Sequence, residues 1–395
     1  MRILYLSYWV FNDALTTATV LPHLRVLEER ADVEAILLVT VERGDDPVLE
    51  LPFTSTKITY TPLLASANKY VLVKKTDDFL RFPSMLAEIV LRFNPDMLIA
   101  RGALAGSLAY LVWKKTKLPF YVESFEPHAE YMLQGKVWRS YDPRYLFQQY
   151  WENQQKRHAS GLMPVAEKYR RQLIIEGVSA SRMITVPCSV DLAVFAFRPL
   201  SRARVRQQFD IAPNATVGIY AGKFGGIYFD YATAFDLFRT TFEFFGPGFH
   251  LVLLTPEPAH PLRIKLQQAG LDVSRISIAF VPFSDVPDYL SAADFAFGLH
   301  RPTPYVSPIK IGEYWANGLP VLLSENVGDD SDIIQREGGG ALFQAEKLAS
   351  VQAALGQIAV ELNQKGHRAA NARLAAVHRS LELAKLAYEN FFRRL

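Results

Sequence analysis

One cysteine, Cys188, is the whole thiol complement of this 395-residue chain. It can close no internal disulfide, so a reducing compartment fits. With no distinctive motif around it, Cys188 reads as a small buried apolar residue rather than a nucleophile. Excess charge is equally scarce: 43 Lys and Arg against 40 Asp and Glu leave a formal net charge of +3. Nucleic-acid-binding domains concentrate basic charge on one face, so nucleic acid is not expected as a partner. No apolar run is long enough for a bilayer. The longest, MLIARGALAGSLAYLVW (97–113), carries Arg101 and a glycine-rich break, whereas a span needs about 20 mostly apolar residues. It reads as strand, turn and helix. The opening MRILYLSYWV has one basic residue and an apolar run too short for a secretion signal. It reads as a first strand, and the protein as cytoplasmic and soluble.

Familiar phosphate and nucleophile signatures are missing too. SYWVFNDALTTA (7–18), at the end of the first strand, lacks the Gly-x-Gly-x-x-Gly fingerprint, so a nicotinamide or flavin dinucleotide is not expected in the first domain. AGKFGGIYFD (221–230) has no Gly-Lys-Ser/Thr at Walker spacing, and the chain has no Gly-x-Ser-x-Gly elbow. No tandem repeat of short period is visible.

What the chain does have is apolar mass: half its residues are hydrophobic, enough for two cores at a length that favours two domains. Short runs that are apolar on both faces alternate with helical patterns, as in buried parallel sheets built of strand–helix–strand units. The expected strands are RILYLSY (2–8), VEAILLVTV (33–41), KITYTPL (57–63), MLIARG (97–102), PFYVESF (119–125), GLMPVA (161–166) and MITVPC (183–188). The polar, basic FRPLSRARVRQQF (197–209) is the expected linker. The alternation restarts with VGIYAGKF (217–224), FHLVLLTP (249–256), ISIAFVP (276–282), DFAFGLHR (294–301) and PVLLSE (320–325). Helical patterns include 21–30, 145–159 and 231–245, and the tail from about 367 reads as one or two helices. The fold class is α/β: two Rossmann-like, doubly wound parallel-sheet domains facing a cleft. The expected domains are 1–195 and 196–374, with a C-terminal helix at about 375–395 packed back on the first.

Ligands of open parallel sheets bind beyond the carboxyl ends of the strands, so residues just after strands carry the chemistry. SPIKIGEYWANGLP (307–320) reads as a helix with Ser307 as N-cap and Pro308 as first residue. Lys310 then sits beside the positive end of the helix dipole, where acidic residues are favoured. A phosphate in front of the free first-turn N–H groups would make that cation welcome. Glu313 shares its helix face and could accept hydrogen bonds from a ribose diol, and Gly312 would admit a close ligand or backbone. The alternative is a solvated Lys310–Glu313 surface pair. In AGKFGGIYFD the turn Gly225-Gly226 leads into a helix, and Lys223 offers a point charge to a phosphate or is a surface lysine. In ESFEPHAEYM (123–132), Glu123, Glu126, His128 and Glu130 crowd a strand end. There carboxylates could orient a titrating histidine or an acceptor hydroxyl. The alternative is a capped, solvated helix start. One His among irregularly spaced Glu is a poor metal site, and no metal is expected.

Taken in order, these residues resemble the retaining glycosyltransferases of GT-B fold, glycosyltransferase family 4 in particular. VPCSVDLAVFAF (186–197) is similar to the family's P-N-G-V-D-x-x-x-F hinge, with Cys188-Ser189 in place of Asn-Gly. YAGKF (220–224) stands at its first phosphate loop, VPFSDVPDYLSAADFAFGL (281–299) resembles the helix before its A-D. SPIKIGEYWANGLPV resembles S-P-x-K-x-x-E-Y-x-A-x-G-x-P-V, with GGGALF closing the match. The close match covers about 190–345; the first half matches in architecture. The resemblance implies a nucleotide-sugar donor, UDP favoured over GDP, needing no metal or other cofactor. Glu313 would hold the ribose hydroxyls. Lys223 with Gly222 and Gly225, and the helix start Ser307, Pro308 and Ile309 with Lys310 nearby, would face the diphosphate. His128 and Lys223 would be the catalytic pair, with Asn12, Glu126 and His128 on the acceptor side.

Three departures stand out. The family's second Glu, eight positions before Glu313, is Tyr305 here. The usual basic pair of the phosphate loop is reduced to Lys223, for which Arg301 could compensate. The first-domain glycine-rich loop is replaced around Asn12-Asp13. The expected activity is sugar transfer, with retention, to a glycan or lipid-linked acceptor in bacterial-type polysaccharide or glycoconjugate synthesis. The alternatives are a nucleotide-sugar epimerase of the same fold and a catalytically degenerate partner protein. The terminal FFRRL reads as packed helix with solvated arginines, and leaves open peripheral contact at the inner face of a membrane.

Overall fold

The computed structural model describes residues 1–13, 15–44, 47–66 and 71–393. The chain forms two compact units. The first comprises Met1–Glu130, Trp138–Ser189 and Leu381–Leu395, the second Tyr131–Val137 and Val190–Ser380. The expected divisions at 195/196 and 374/375 are therefore displaced. Val190 already packs in the core of the second unit, as does Tyr131, and the helix His367–His378 stays with it, its Leu374 and Ala375 in that same core.

The first unit holds six parallel strands: β1 (Arg2–Ser7), β2 (Ala35–Glu42), β3 (Ile58–Leu64), β4 (Met97–Arg101), β5 (Phe120–Phe125) and β6 (Gly161–Pro164). Their order is β3-β2-β1-β4-β5-β6. The second repeats the plan with β7 (Thr216–Ala221), β8 (Phe249–Leu254), β9 (Ile276–Ala279), β10 (Phe295–Gly298), β11 (Val321–Ser324) and β12 (Gly340–Phe343), ordered β12-β11-β10-β7-β8-β9. In each sheet three strands run outward one way and the next returns beside the first. The order thus reverses between β1 and β4 and between β7 and β10, the points where doubly wound sheets bind ligands. Central strands are buried on both faces, because helices cover both sides.

The last helix, Leu381–Phe392, belongs to the first unit. Its Ala384, Ala387, Tyr388 and Phe391 join a core with Ile3, Tyr5, Leu24 and Met163. A glycine permits this: a Cβ at Gly161 would lie 2.6 Å from Phe391.

Three expectations about elements need correction. The segment 197–209 is no linker. Pro199–Gln208 is a helix, and its arginines are consumed within the second unit: Arg198 and Arg204 pair with Asp288, Arg202 and Arg206 with Asp294, at 2.6–2.8 Å. MITVPC is not a strand. Only Met183 bridges to Leu162, and Ile184 and Val186 then donate to Leu162 and Pro164 across the end of β6. Strand β12 was not expected, because it begins at the last of three glycines, Gly338, Gly339 and Gly340, all at positive φ, in a composition that favours a turn.

Candidate functional site

In the second unit the loops after β7, β10 and β11 interlock at the carboxyl end of the sheet. Gly225 (φ 85°) and Gly226 (φ 65°) turn the first loop back, and Gly225 N–H donates to the Phe229 carbonyl at 2.8 Å. A Cβ at Gly225 would meet nothing within 4 Å, so the left-handed backbone, not space, demands glycine there. Gly222 is different: a Cβ would lie 2.7 Å from the Tyr220 hydroxyl, which itself donates to the Lys223 carbonyl. The Lys223 side chain is exposed.

This loop pairs with the one after β10. Phe229 N–H donates to Leu299, Arg301 N–H to Ile227 (both 3.0 Å), and Tyr228 and His300 form an antiparallel bridge with ring centroids 4.7 Å apart. Burial lowers the His300 pKa to about 4, so the ring is neutral at neutral pH. Arg301 faces this loop: Nε donates to the Tyr228 carbonyl at 3.1 Å and Nη2 to Asp230 at 3.0 Å. In this structure it clamps the turn. Thr303 joins the third loop, its N–H donating to Asn326 and its carbonyl accepting from Gly328.

The helix that follows is Ile309–Ala316, with Pro308 at its N-cap position. It starts one residue later than expected, so Pro308 rather than Ser307 stands at the N-cap. Ser307 Oγ instead accepts from Arg379 Nη1, while Arg379 Nη2 donates to Asp330. Gly312 is reserved for this same residue, since a Cβ there would meet Arg379 Cγ at 3.2 Å and Cβ at 3.3 Å. Its function as a ligand gap is thereby replaced by packing. Tyr314 accepts the Ala221 N–H at 3.0 Å and so fastens the helix under the end of β7. Lys310 Nζ donates to Glu313 Oε2 at 2.8 Å. Glu313 is 1% exposed, whereas the Lys310 side chain is 36% exposed. The pair is thus a buried carboxylate under a solvent-facing cation, not a pair solvated on both sides.

In the first unit the four acidic and basic groups of 123–130 part company. Ser124, at φ 50°, breaks the register between Val122 and Phe125. Glu123 turns inward, where it accepts from Arg101 Nη1 at 3.0 Å and from the hydroxyls of Tyr5 and Tyr388. Glu130 accepts from Tyr145 at 2.9 Å. Glu126 and His128 stay together, half-buried, at the start of the helix His128–Gln134, with the His128 ring 5.5 Å from that of Trp138. Asn12 is exposed on the loop after β1.

Sequence reasoning missed the group that holds this helix start. Glu152, on the helix Pro143–His158, is buried and accepts the Ala129 N–H at 3.0 Å and Gln148 Nε2 at 2.9 Å. Burial raises its carboxyl pKa to about 7. Its stabilising contribution is therefore complete below the ordinary glutamate range and is lost as pH rises through 7. Glu152→Gln keeps an acceptor for Ala129. It should match the wild type in urea at pH 5 and exceed it at pH 8 by on the order of 3 kcal/mol; equal midpoints at both pH values would contradict this. Arg379, Asp330 and the partners of Glu123 were missed as well. The one available signal was Arg101 inside an apolar strand, since a charge buried there requires a countercharge.

Among the described residues no group of three or more His, Cys, Asp or Glu side chains is placed to hold a metal ion, and no helix is long and apolar enough to cross a membrane. No protein-family model matches the chain, and no curated protein matches it by sequence. Solved structures do share its fold. Sucrose-phosphate synthase from Thermosynechococcus elongatus aligns at TM-score 0.76 and 16% identity, over 100% of this chain and 99% of that one. Anabaena HepE in complex with UDP-glucose aligns at 0.72 and 14%, and UDP-GlcNAc 2-epimerase from Neisseria meningitidis bound to UDP-GlcNAc at 0.62 and 11%, each over 100% of both chains. The chain has the GT-B fold: two Rossmann-like domains, each doubly wound on a six-stranded parallel sheet.

Proposed function

We propose that this protein is a glycosyltransferase that moves a sugar from a nucleoside diphosphate, UDP favoured over GDP, to a glycan or lipid-linked acceptor. Retention of anomeric configuration and a place in bacterial-type polysaccharide or glycoconjugate synthesis complete the reading. The observation that carries it is the β7/β10 switch point. There a glycine turn bearing Lys223 is knitted to the segment leading into the helix of Lys310 and Glu313.

Sugar transfer breaks the bond between the anomeric carbon and the phosphate oxygen and forms one to the acceptor oxygen. Negative charge gathers on the departing diphosphate. Helix N-terminal amides and the cations Lys223 and Lys310 suit that charge, and Glu313 suits a ribose diol. Gly222 and Gly225 shape the loop, and Ser307, Pro308 and Ile309 set the helix start. Arg301 would act through the turn it clamps. In the first domain, Asn12, Glu126 and His128 are assigned to the acceptor and the transferring sugar, with contact to a membrane surface part of the reading for a lipid-linked acceptor. HepE and sucrose-phosphate synthase support this choice through shared fold. The epimerase structure keeps a second reading in view: formation of isomerised nucleotide sugar without any acceptor would favour it.

Metal-free calorimetric titration of UDP and GDP into the wild type tests the donor site. Micromolar binding of UDP in preference to GDP is expected. Failure of either nucleotide to bind below millimolar would reject the site and favour a catalytically degenerate partner.

A further inference from the structure

Arg379 is 2% exposed and lies 66 residues beyond Glu313 in sequence, yet it reaches the start of the Glu313 helix. Its guanidinium forks between two helix beginnings. Nη1 donates to Ser307 Oγ and Nη2 to Asp330, the first residue of the helix Asp330–Glu337 and itself fully buried. Its aliphatic stem occupies the space that Gly312 leaves open. Its own backbone is fixed from both sides. The N–H donates to Ala375 at 2.8 Å, ending the helix His367–His378, and the carbonyl accepts the Val190 N–H at 2.7 Å. Val190 and Ser380, which form a parallel bridge, are the residues where the main segment of the second unit begins and ends. Opposite, Gly328 at φ 51° lets the loop after β11 press on the Val306 carbonyl.

We infer that Arg379 is a positioning residue for the proposed donor site, locking Ser307 and the first turn of the 309–316 helix to the joined ends of the second unit. The inference rests on the donor reading for its effect on ligand, but not for its effect on the helix. Arginine suits the place because its two terminal nitrogens, held apart in a planar fork, each meet one acceptor. A lysine is one bond shorter and brings a single nitrogen, so the paired contact to Ser307 and Asp330 is not reproduced.

The test is Arg379→Lys, with three readouts on the full chain. The melting midpoint should stay within a few degrees of wild type, because the buried countercharge for Asp330 is kept. Amide hydrogen exchange at 309–312 in nucleotide-free protein should quicken, with the 231–245 helix unchanged. UDP affinity should fall roughly tenfold, the worth of one hydrogen bond to a charged group. Unchanged exchange at 309–312 would overturn the inference. If exchange quickens but the wild type binds no nucleotide, the positioning holds and the donor reading fails. Should Arg379→Lys not fold, Gly312→Ala replaces it: the ion pair survives while the stem, 3.2 Å from the new Cβ, is displaced. The same exchange pattern is expected, and wild-type exchange in that variant would overturn the proposal equally.

Discussion

Glu123→Ala should cost the first unit roughly 3–5 kcal/mol, the usual penalty for removing one partner of a buried ion pair. Arg101 is 4% exposed and Glu123 1%, so deletion strands a guanidinium in the core. It also releases the hydroxyls of Tyr5 and Tyr388, and with Tyr388 a tether of the last helix. Four of the five tryptophans, Trp9, Trp113, Trp138 and Trp151, lie in the first unit, so the urea transition followed by tryptophan fluorescence reports on it. The paired change Glu123→Leu with Arg101→Met should recover most of the loss, because no charge is then buried alone. A single change with no effect would mean that the cluster contributes nothing. The pH dependence follows from the same contacts. Burial opposes ionisation of Glu123, but His23, Arg101 and the Tyr388 hydroxyl override it and bring its pKa down to about 2. Burial keeps His23 below its ordinary value, so at neutral pH the countercharge is Arg101. A depressed carboxyl pKa gives stability that is present above the ordinary glutamate range and lost as pH falls towards 2.

Glu313→Ala should leave folding nearly unchanged and weaken UDP by roughly 10–100-fold, the worth of hydrogen bonds to an ionised carboxylate. The asymmetry of the pair explains the first half. Lys310 is partly exposed and can turn to water when its partner goes, whereas Glu313 cannot. The reciprocal change, Lys310→Met, buries an unpaired carboxylate and should lower stability by about 1–3 kcal/mol. Calorimetry and thermal melting on the two variants separate the effects. Undiminished UDP binding in Glu313→Ala would remove this residue from the donor site. A stable Lys310→Met would show that the carboxylate reaches solvent.

Much of the architecture was legible because it rests on local pattern. Runs of strand length, apolar on both faces, located eleven strands to within a few residues, and the helix Tyr231–Phe245 was read from its helical pattern after the Gly225-Gly226 turn. Misreadings arose where the deciding partner is distant. The arginines of 197–209 look like solvated linker until Asp288 and Asp294, 84 to 92 residues on, are brought beside them. Glycine at 338–340 suggests a turn, and only the pairing of Gly340 with Val321 makes it a strand.

The sequence by itself determined two parallel α/β domains and the loops where polar chemistry collects, since periodicity and turn residues act over a few positions. It also singled out Lys310 and Glu313 as neighbours, because spacing along a helix is a local matter. Only the tertiary structure decided which distant partner each polar group takes. It turned Glu123 inward to Arg101, drew Arg301 onto Asp230, and gave the space beside Gly312 to Arg379. The reason is physical: a charged group takes the countercharge nearest to it in space, most strictly where it is buried, and sequence separation carries no information about that distance.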